Sequence, residues 1–322
     1  MENKLVAVIN EMSEVLDVAQ LRKLQEVMLK HFAENSIQRE SITNDAYLKL
    51  FLDAKKIEGC SDRTIAYYRS TIDHFICSIN EPIRTVSTET IRAYLADYHN
   101  RSKCSKVTVD NIRRNISSFF SWLEEEDYIL KSPMRRIHKI KTAKVVKQII
   151  SDEGIEILRD SCSQPRDLAI IDMLYSTGMR VGELVNLNIA DVNFEQRECI
   201  VFGKGDKERR VYFDAKTKIH LQNYLRTRID DNPALFVTLD APHKRLKISG
   251  VEIRLRELGR RNNLEKIHPH KFRRTMATRA IDKGMPIEQV QKILGHSQID
   301  TTMQYAIVNQ NNVKASHQKY IS

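Results

Sequence analysis

From Ser41 to Ile137 the chain keeps a helical pattern, in blocks that run from Tyr47 to Lys55, Ser61 to Ile79, Ser87 to His99 and Thr108 to Glu125. Single short breaks separate the blocks, which constrains this segment to a bundle of four or five helices with short connections. Ser87, followed by Glu89 and Thr90, is placed to cap one of them. Upstream, Leu5, Val8, Ile9, Met12, Val15 and Leu16 also recur at helical spacing. Asp17 with Gln20 has the form of a capping box opening a second helix through Leu21, Leu24, Met28 and Phe32. Residues 1–40 therefore read as a helical N-terminal extension.

Between Tyr128 and Ser151 there is no acidic residue, while Lys131, Arg135, Arg136, Lys139, Lys141, Lys144 and Lys147 supply seven bases around one proline. This reads as an inter-domain linker laid along something anionic. The charge balance agrees: 52 Lys and Arg against 42 Asp and Glu give +10 over 322 residues, enough chain for two domains. The first forty residues carry seven acids and five bases, so everything after Glu40 holds +12. A polyanion partner is the natural expectation. Five cysteines, odd in number and in no CxxC pair, argue against a disulfide framework and a zinc site. No apolar run reaches the roughly 18 residues of a membrane span, and acidic Glu2, Glu11 and Glu14 are unlike a secretory signal. A cytoplasmic protein that engages no membrane is expected.

From Asp152 onward the texture changes to mixed α and β. Ile155 to Asp160 and Pro165 to Ser176 read as helices, with Gly178 as a stop. Glu198 to Phe202 and Arg209 to Phe213 read as strands of a hairpin closed by Gly203-Lys204-Gly205-Asp206-Lys207-Glu208. Helices resume at Ser249, where Ser249 with Glu252 resembles a capping box, at His270 to Lys283, and at Pro286 to Leu294 with Gly295 as its end. The fold class expected is mainly α with a small β-hairpin or sheet.

Candidate chemistry lies at element ends. Arg180, after Thr177-Gly178-Met179, sits beside a helix start, where a planar guanidinium fork suits a phosphate; it is equally an exposed partner for Glu183. His270 and Arg273, at i and i+3, share one helix face, and the helix N-terminus favours a neutral imidazole at His270. Lys271 and Arg274 add basic neighbours. Tyr305 follows a polar Thr301-Thr302-Met303-Gln304 run, nine residues after His296. A phenol has a pKa of about 10 and needs cationic surroundings to act as a nucleophile; Arg180, Arg273 and Lys204 could supply them.

Taken together, Thr177-Gly178-Met179-Arg180-Val181-Gly182-Glu183-Leu184, Gly203-Lys204-Gly205, His270-x-x-Arg273, Leu294-Gly295-His296 and Thr301-Thr302-x-x-Tyr305 resemble the ordered signature of the tyrosine recombinases, the phage integrase and Xer-like family. The resemblance implies a SAM-like core-binding DNA-binding domain at 41–137 and a mixed α/β catalytic domain at 152–322, with the basic stretch at 138–151 as the linker between them; it does not reach the extension at 1–40. It implies a site-specific recombinase that cuts and rejoins duplex DNA through a 3′-phosphotyrosyl intermediate, for integration, excision, inversion or dimer resolution.

On that resemblance Tyr305 is the nucleophile and Arg180 and Arg273 grip the non-bridging oxygens. Lys204, with Lys207 as a nearby rival, is the general acid, His270 an acid/base and His296 a hydrogen-bonding partner of the phosphate. Arg135, Arg136, Lys139, Lys141, Lys144, Lys271 and Arg274 are expected to touch DNA. Many relatives carry His where Arg274 stands. No ATP loop and no magnesium-holding carboxylate cluster is found, so no cofactor and no metal is expected, and His268, His270 and His296 are not read as zinc ligands. The partners implied are double-stranded DNA with specific recombination sites, a homo-tetramer on that DNA and accessory proteins, with the enzyme nucleoid-associated when bound. A type IB topoisomerase and a non-catalytic DNA-binding protein of the same fold are the alternative readings.

Overall fold

The computed structural model describes residues 11–12, 15–39, 42–142, 148–203 and 208–305, with no side chains described over 29–39. The chain divides into two compact units, 1–145 and 146–322. Lys144, the Lys204 and Lys207 of the expected hairpin turn, and everything after Tyr305 lie outside the described residues, as does most of the leader before Asp17. No described helix is long and apolar enough to cross a membrane.

In the first unit, α1 spans Val18–Arg39 and opens on the expected box: the Asp17 backbone N–H donates to Gln20 Oε1 (3.1 Å) and the Gln20 N–H to Asp17 Oδ1 (2.8 Å). Then come α2 (Asn44–Ile57), α3 (Asp62–Ser78), α4 (Thr88–Ser102) and α5 (Lys106–Glu125). Each of these four begins behind a Ser or Thr, at Thr43, Ser61, Ser87 and Ser105, whose hydroxyl accepts a backbone N–H of the first turn. They close on aromatic side chains: Phe51 meets Tyr68, Phe119 and Trp122 edge to face at 5.3–5.7 Å. The basic stretch starts as part of this unit. Ile137 and Ile140 pack against its core, and the Ile140 N–H donates to buried Asp110 on α5 (3.0 Å).

The second unit is built around α7 (Pro165–Thr177), buried on most of its circumference, with α6 (Asp152–Asp160) before it and α8 (Val181–Asn186) after it. A three-stranded antiparallel sheet follows: β1 (Val192–Asn193), β2 (Glu198–Phe202) and β3 (Glu208–Tyr212), in that order. The expected hairpin is present, begun one residue earlier in β3 and with β1 added at its edge. Next are α9 (Ala215–Arg226), α10 (Ile248–Arg261), α11 (Pro269–Asp282), α12 (Ile287–Leu294) and α13 (Ile299–Met303).

One reading of the sequence is corrected, and one helix is added. Helix α10 starts at Ile248 with Lys247 as its N-cap and no side-chain cap bond, so Ser249 and Glu252 form no capping box. The positions that face the core, Val251, Leu255 and Leu258, set the phase of this helix and place Ser249 inside its first turn. Helix α9 was not expected at all; Asp214 caps it by accepting the Thr217 N–H (2.8 Å).

The second unit also claims the end of the basic stretch. Ile150 belongs to its core, with its N–H donating to the Thr275 hydroxyl and its carbonyl accepting from Arg279, both at 3.0 Å on α11.

Candidate active site

The site is assembled at the ends of α7, α8 and α12 and along α11. Helix α7 stops at Gly178, which turns with φ +61°, and an added Cβ there would lie 2.1 Å from Met276 Cε. Only glycine takes that turn and that approach without cost. The turn frees the Gly178 carbonyl to accept from Arg273 Nη1 (2.7 Å) and puts Arg180 at the N-cap of α8. Arg180 does pair with Glu183: its backbone N–H donates to Oε2 (2.7 Å) and its Nη1 to Oε1 (2.9 Å), while the side chain stays 40% exposed. Its second terminal nitrogen points to the Gly295 carbonyl (3.4 Å).

Arg273 is 1% exposed, a charge that can be kept inside only when its donors are engaged. Besides Gly178 it donates to the Leu294 carbonyl (2.6 Å) and meets His296 Nε2 (2.9 Å), both through Nη2. Its Nε, and that of half-buried Arg274 beside it, is covered and has no partner. An unmet buried donor costs about 1–3 kcal/mol, so both guanidinia hold donor capacity for a further acceptor.

His296 is fixed by the way α12 ends. Gly295 takes φ +63°, its N–H donates to the Lys292 carbonyl and the His296 N–H to the Gln291 carbonyl, the paired bonds of a Schellman turn. The imidazole then lies between Arg273 and the Thr302 hydroxyl, 2.8 Å from Nδ1, with the Tyr305 ring centroid 6.0 Å away. Because Arg273 can only donate, Nε2 accepts, and the proton of the neutral ring sits on Nδ1. Tyr305 packs on the small apolar cluster of Ala277, Val290 and Leu294 between α11 and α12.

Electrostatics follow from this crowding. Burial, then the charges of Arg273, Arg180 and Arg209, push His296 down to about 4. Burial, then Arg180 and Arg209, pull Arg273 below the ordinary arginine value, though arginine stays charged at neutral pH. Burial would raise Glu183, but the hydrogen bonds from Arg209 and Arg180 outweigh it and hold the carboxyl below its usual range. Glu183 is therefore a fixed anion here and has no proton to give.

The structure thus brings Arg180, Arg273, His296 and Tyr305 together. His270 lies exposed on the first turn of α11, close enough for its charge to act on His296 and His268. Among the described residues no cluster of three His, Cys, Asp or Glu could hold a metal ion, so His268, His270 and His296 form none. Of the bases expected at DNA, Arg135, Arg136, Lys139 and Lys141 are exposed on the first unit, Arg135 paired with Glu124 (2.7 Å). Lys271 is placed otherwise: it is buried, and its Nζ donates to the Glu265 carbonyl (3.0 Å). Arg274 is half-buried, and burial pulls its guanidinium below the ordinary arginine value, with Tyr305 acting weakly in the opposite direction.

One participant was missed from sequence. Arg209 donates to both oxygens of Glu183 (2.7 Å each) and to the Ile293 carbonyl (2.9 Å). The available signal was its register, since Val201 opposite it and Val211 two residues on both face the core.

The phage integrase family pattern matches residues 141–312, and its N-terminal SAM-like domain matches 47–130. The tyrosine recombinase XerC of Oceanobacillus iheyensis is 30% identical over 292 residues, covering 85% of this chain and 95% of that protein. XerC of Leptospira interrogans is 34% identical over 299 residues, with 87% and 94% covered. The Tn1549 transposon integrase, solved in complex with a circular intermediate DNA, shares the fold with a TM-score of 0.69 at 19% identity, over 87% of this chain and 100% of that one. The fold and the family patterns are those of an enzyme that transfers DNA strands. The chain belongs to the phage integrase family and is an Xer-like tyrosine recombinase.

Proposed function

We propose that the chain recombines duplex DNA at specific sites through Tyr305. The observation that carries this reading is the convergence of two guanidinia, one neutral imidazole and the tyrosine, with buried Arg273 keeping an unpaired Nε. Tyr305 attacks the scissile phosphorus in line; the new bond joins its oxygen to phosphorus, and the bond to the 5′-oxygen breaks. The product is a 3′-phosphotyrosyl link and a free 5′-hydroxyl, which on a partner strand attacks in reverse. Bond energy stays in the phosphodiester, so neither ATP nor a metal ion is required of the chain.

Arg180 and Arg273 hold the non-bridging oxygens, where charge grows in the transition state; one such contact is worth on the order of 3 kcal/mol. Lys204 protonates the leaving 5′-oxygen, a task for an ammonium rather than for arginine, which keeps its proton. His270 moves the tyrosine proton. Once Arg273 turns its Nη2 from the imidazole to the incoming oxygen, His296 takes the other tautomer: the Thr302 hydroxyl donates to Nδ1 and the Nε2–H donates to the phosphate.

The segment 41–137 binds DNA as the core-binding domain, 138–151 links it to the catalytic domain at 152–322, and 1–40 is an extension. Arg135, Arg136, Lys139, Lys141 and Lys144 contact the backbone, with Arg274 closer to the tyrosine. Four protomers act on two sites, with accessory proteins, in the cytoplasm. Relatives in complex with DNA, such as the Tn1549 integrase and a λ integrase dimer bound to a core site, support DNA as the partner.

The test is covalent trapping on nicked duplexes tiled from DNA flanking the gene, run beside Tyr305→Phe. A denaturation-resistant adduct formed by the wild type alone is expected. An equal adduct from Tyr305→Phe would assign the nucleophile elsewhere.

A further inference from the structure

Arg209 stands at an inward position of β3, opposite Val201 and two residues before buried Val211, where a charged side chain belongs only if fully paired. Its guanidinium is spent on a bridge. Both terminal nitrogens meet Glu183, one on each carboxylate oxygen at 2.7 Å, and Nε donates to the Ile293 carbonyl at 2.9 Å. Glu183 in turn holds Arg180 by its backbone N–H and its Nη1. Ile293 lies in the last turn of α12, three residues before His296. Gly295 leaves the space Arg209 passes through: a Cβ there would lie 2.8 Å from its Cδ. One side chain therefore ties the sheet to the start of α8 and to the end of α12, the two places from which Arg180 and His296 enter the site.

We propose that Arg209 is a positioning residue for recombination, holding Arg180 and His296 at the distance a phosphate requires without itself touching the phosphate. The proposal rests on the roles given above to Arg180 and His296. Its three donors lie in one rigid fork, and a lysine at 209 could satisfy only one of the two anchors at a time. Losing either lets the two ligands of one phosphate drift apart. A misplacement of about 1 Å at a reacting centre costs on the order of a hundredfold in rate.

The experiment uses the full chain and a nicked half-site duplex on which the wild type forms its adduct, so that the reading of Tyr305 stands or falls before Arg209 is judged. Single-turnover cleavage at saturating protein, DNA affinity and thermal melting are measured for Arg209→Lys and Arg209→Met. A second duplex carries a methylphosphonate at the scissile position, where loss of one non-bridging charge lessens the need for cationic grip.

Expected for Arg209→Lys is a retained cooperative melt, affinity within about threefold of wild type and a cleavage rate lower by on the order of a hundredfold. The deficit should shrink at least about tenfold on the methylphosphonate. Cleavage within threefold of wild type would overturn the proposal. So would an equal deficit on both duplexes, the sign of a generally loosened unit. If Arg209→Met fails to melt cooperatively, Arg209→Lys decides alone.

Discussion

At the residue scale the site is a balance between cations that repel and carbonyls and one carboxylate that absorb them. His296 shows the consequence. Its imidazole titrates at about 4 in the folded chain, against an ordinary value near 6.5. The unfolded chain therefore binds a proton between those two pH values that the folded chain refuses, and stability falls as pH drops from about 6.5 to 4 and loses nothing further from this group below that. Urea unfolding followed from pH 7 to 4 should show a shallower acid loss for His296→Gln than for the wild type; parallel curves would deny the group its shifted pKa. Gly295→Ala asks for φ +63° from alanine and places a methyl group 2.8 Å from Arg209 Cδ. It should cost at least about 1 kcal/mol of stability, read as a lower melting temperature, together with slower cleavage. The glycine was legible in the sequence as a helix stop, and the family resemblance singled out the histidine after it. Arg209 was overlooked, because its inward face shows only in its alternation with Val211 along β3 and in no motif.

At the element scale, the start behind Ser87 was legible from its cap, since capping is a local interaction, whereas the blocks read from Tyr47 and Thr108 begin three and two residues earlier, behind Thr43 and Ser105. Ser105→Ala should remove the bond it accepts from the Thr108 N–H and lower the stability of the first unit by about 1 kcal/mol, measured by denaturant unfolding. Ser249 failed as a cap because burial of Val251, Leu255 and Leu258 fixed the phase of α10 before any cap could. Helix α9 buries little beyond Thr217, Leu221 and Tyr224. Such a sparse stripe gives weak periodicity, and its helix forms because it packs on α7. Strand β1 is two residues long, too short for alternation to show.

At the scale of the whole molecule, two bodies were readable from length and from the change of texture at Asp152, and a basic stretch between them from charge. The +12 carried after Glu40 predicts DNA affinity that falls steeply with salt. Exposed Lys139 and Lys141 are suited to phosphate contact, and replacing both by Gln should weaken binding on any sequence and flatten the log–log salt slope by about 2. An unchanged slope would remove them from the DNA interface. Where the basic stretch ends was less legible, because composition changes at Asp152 while packing begins at Ile150.

That offset of two residues matters to anyone exchanging modules between recombinases. Ile150 is bonded through both its backbone groups to the helix that carries His270 and Arg273. A graft joined at Ser151 would replace a strut of the donor's catalytic scaffold with whatever the recipient happens to supply. A seam placed upstream of Gln148 would carry the strut across intact, and a chimera of that design should inherit its parent's turnover along with its parent's fold.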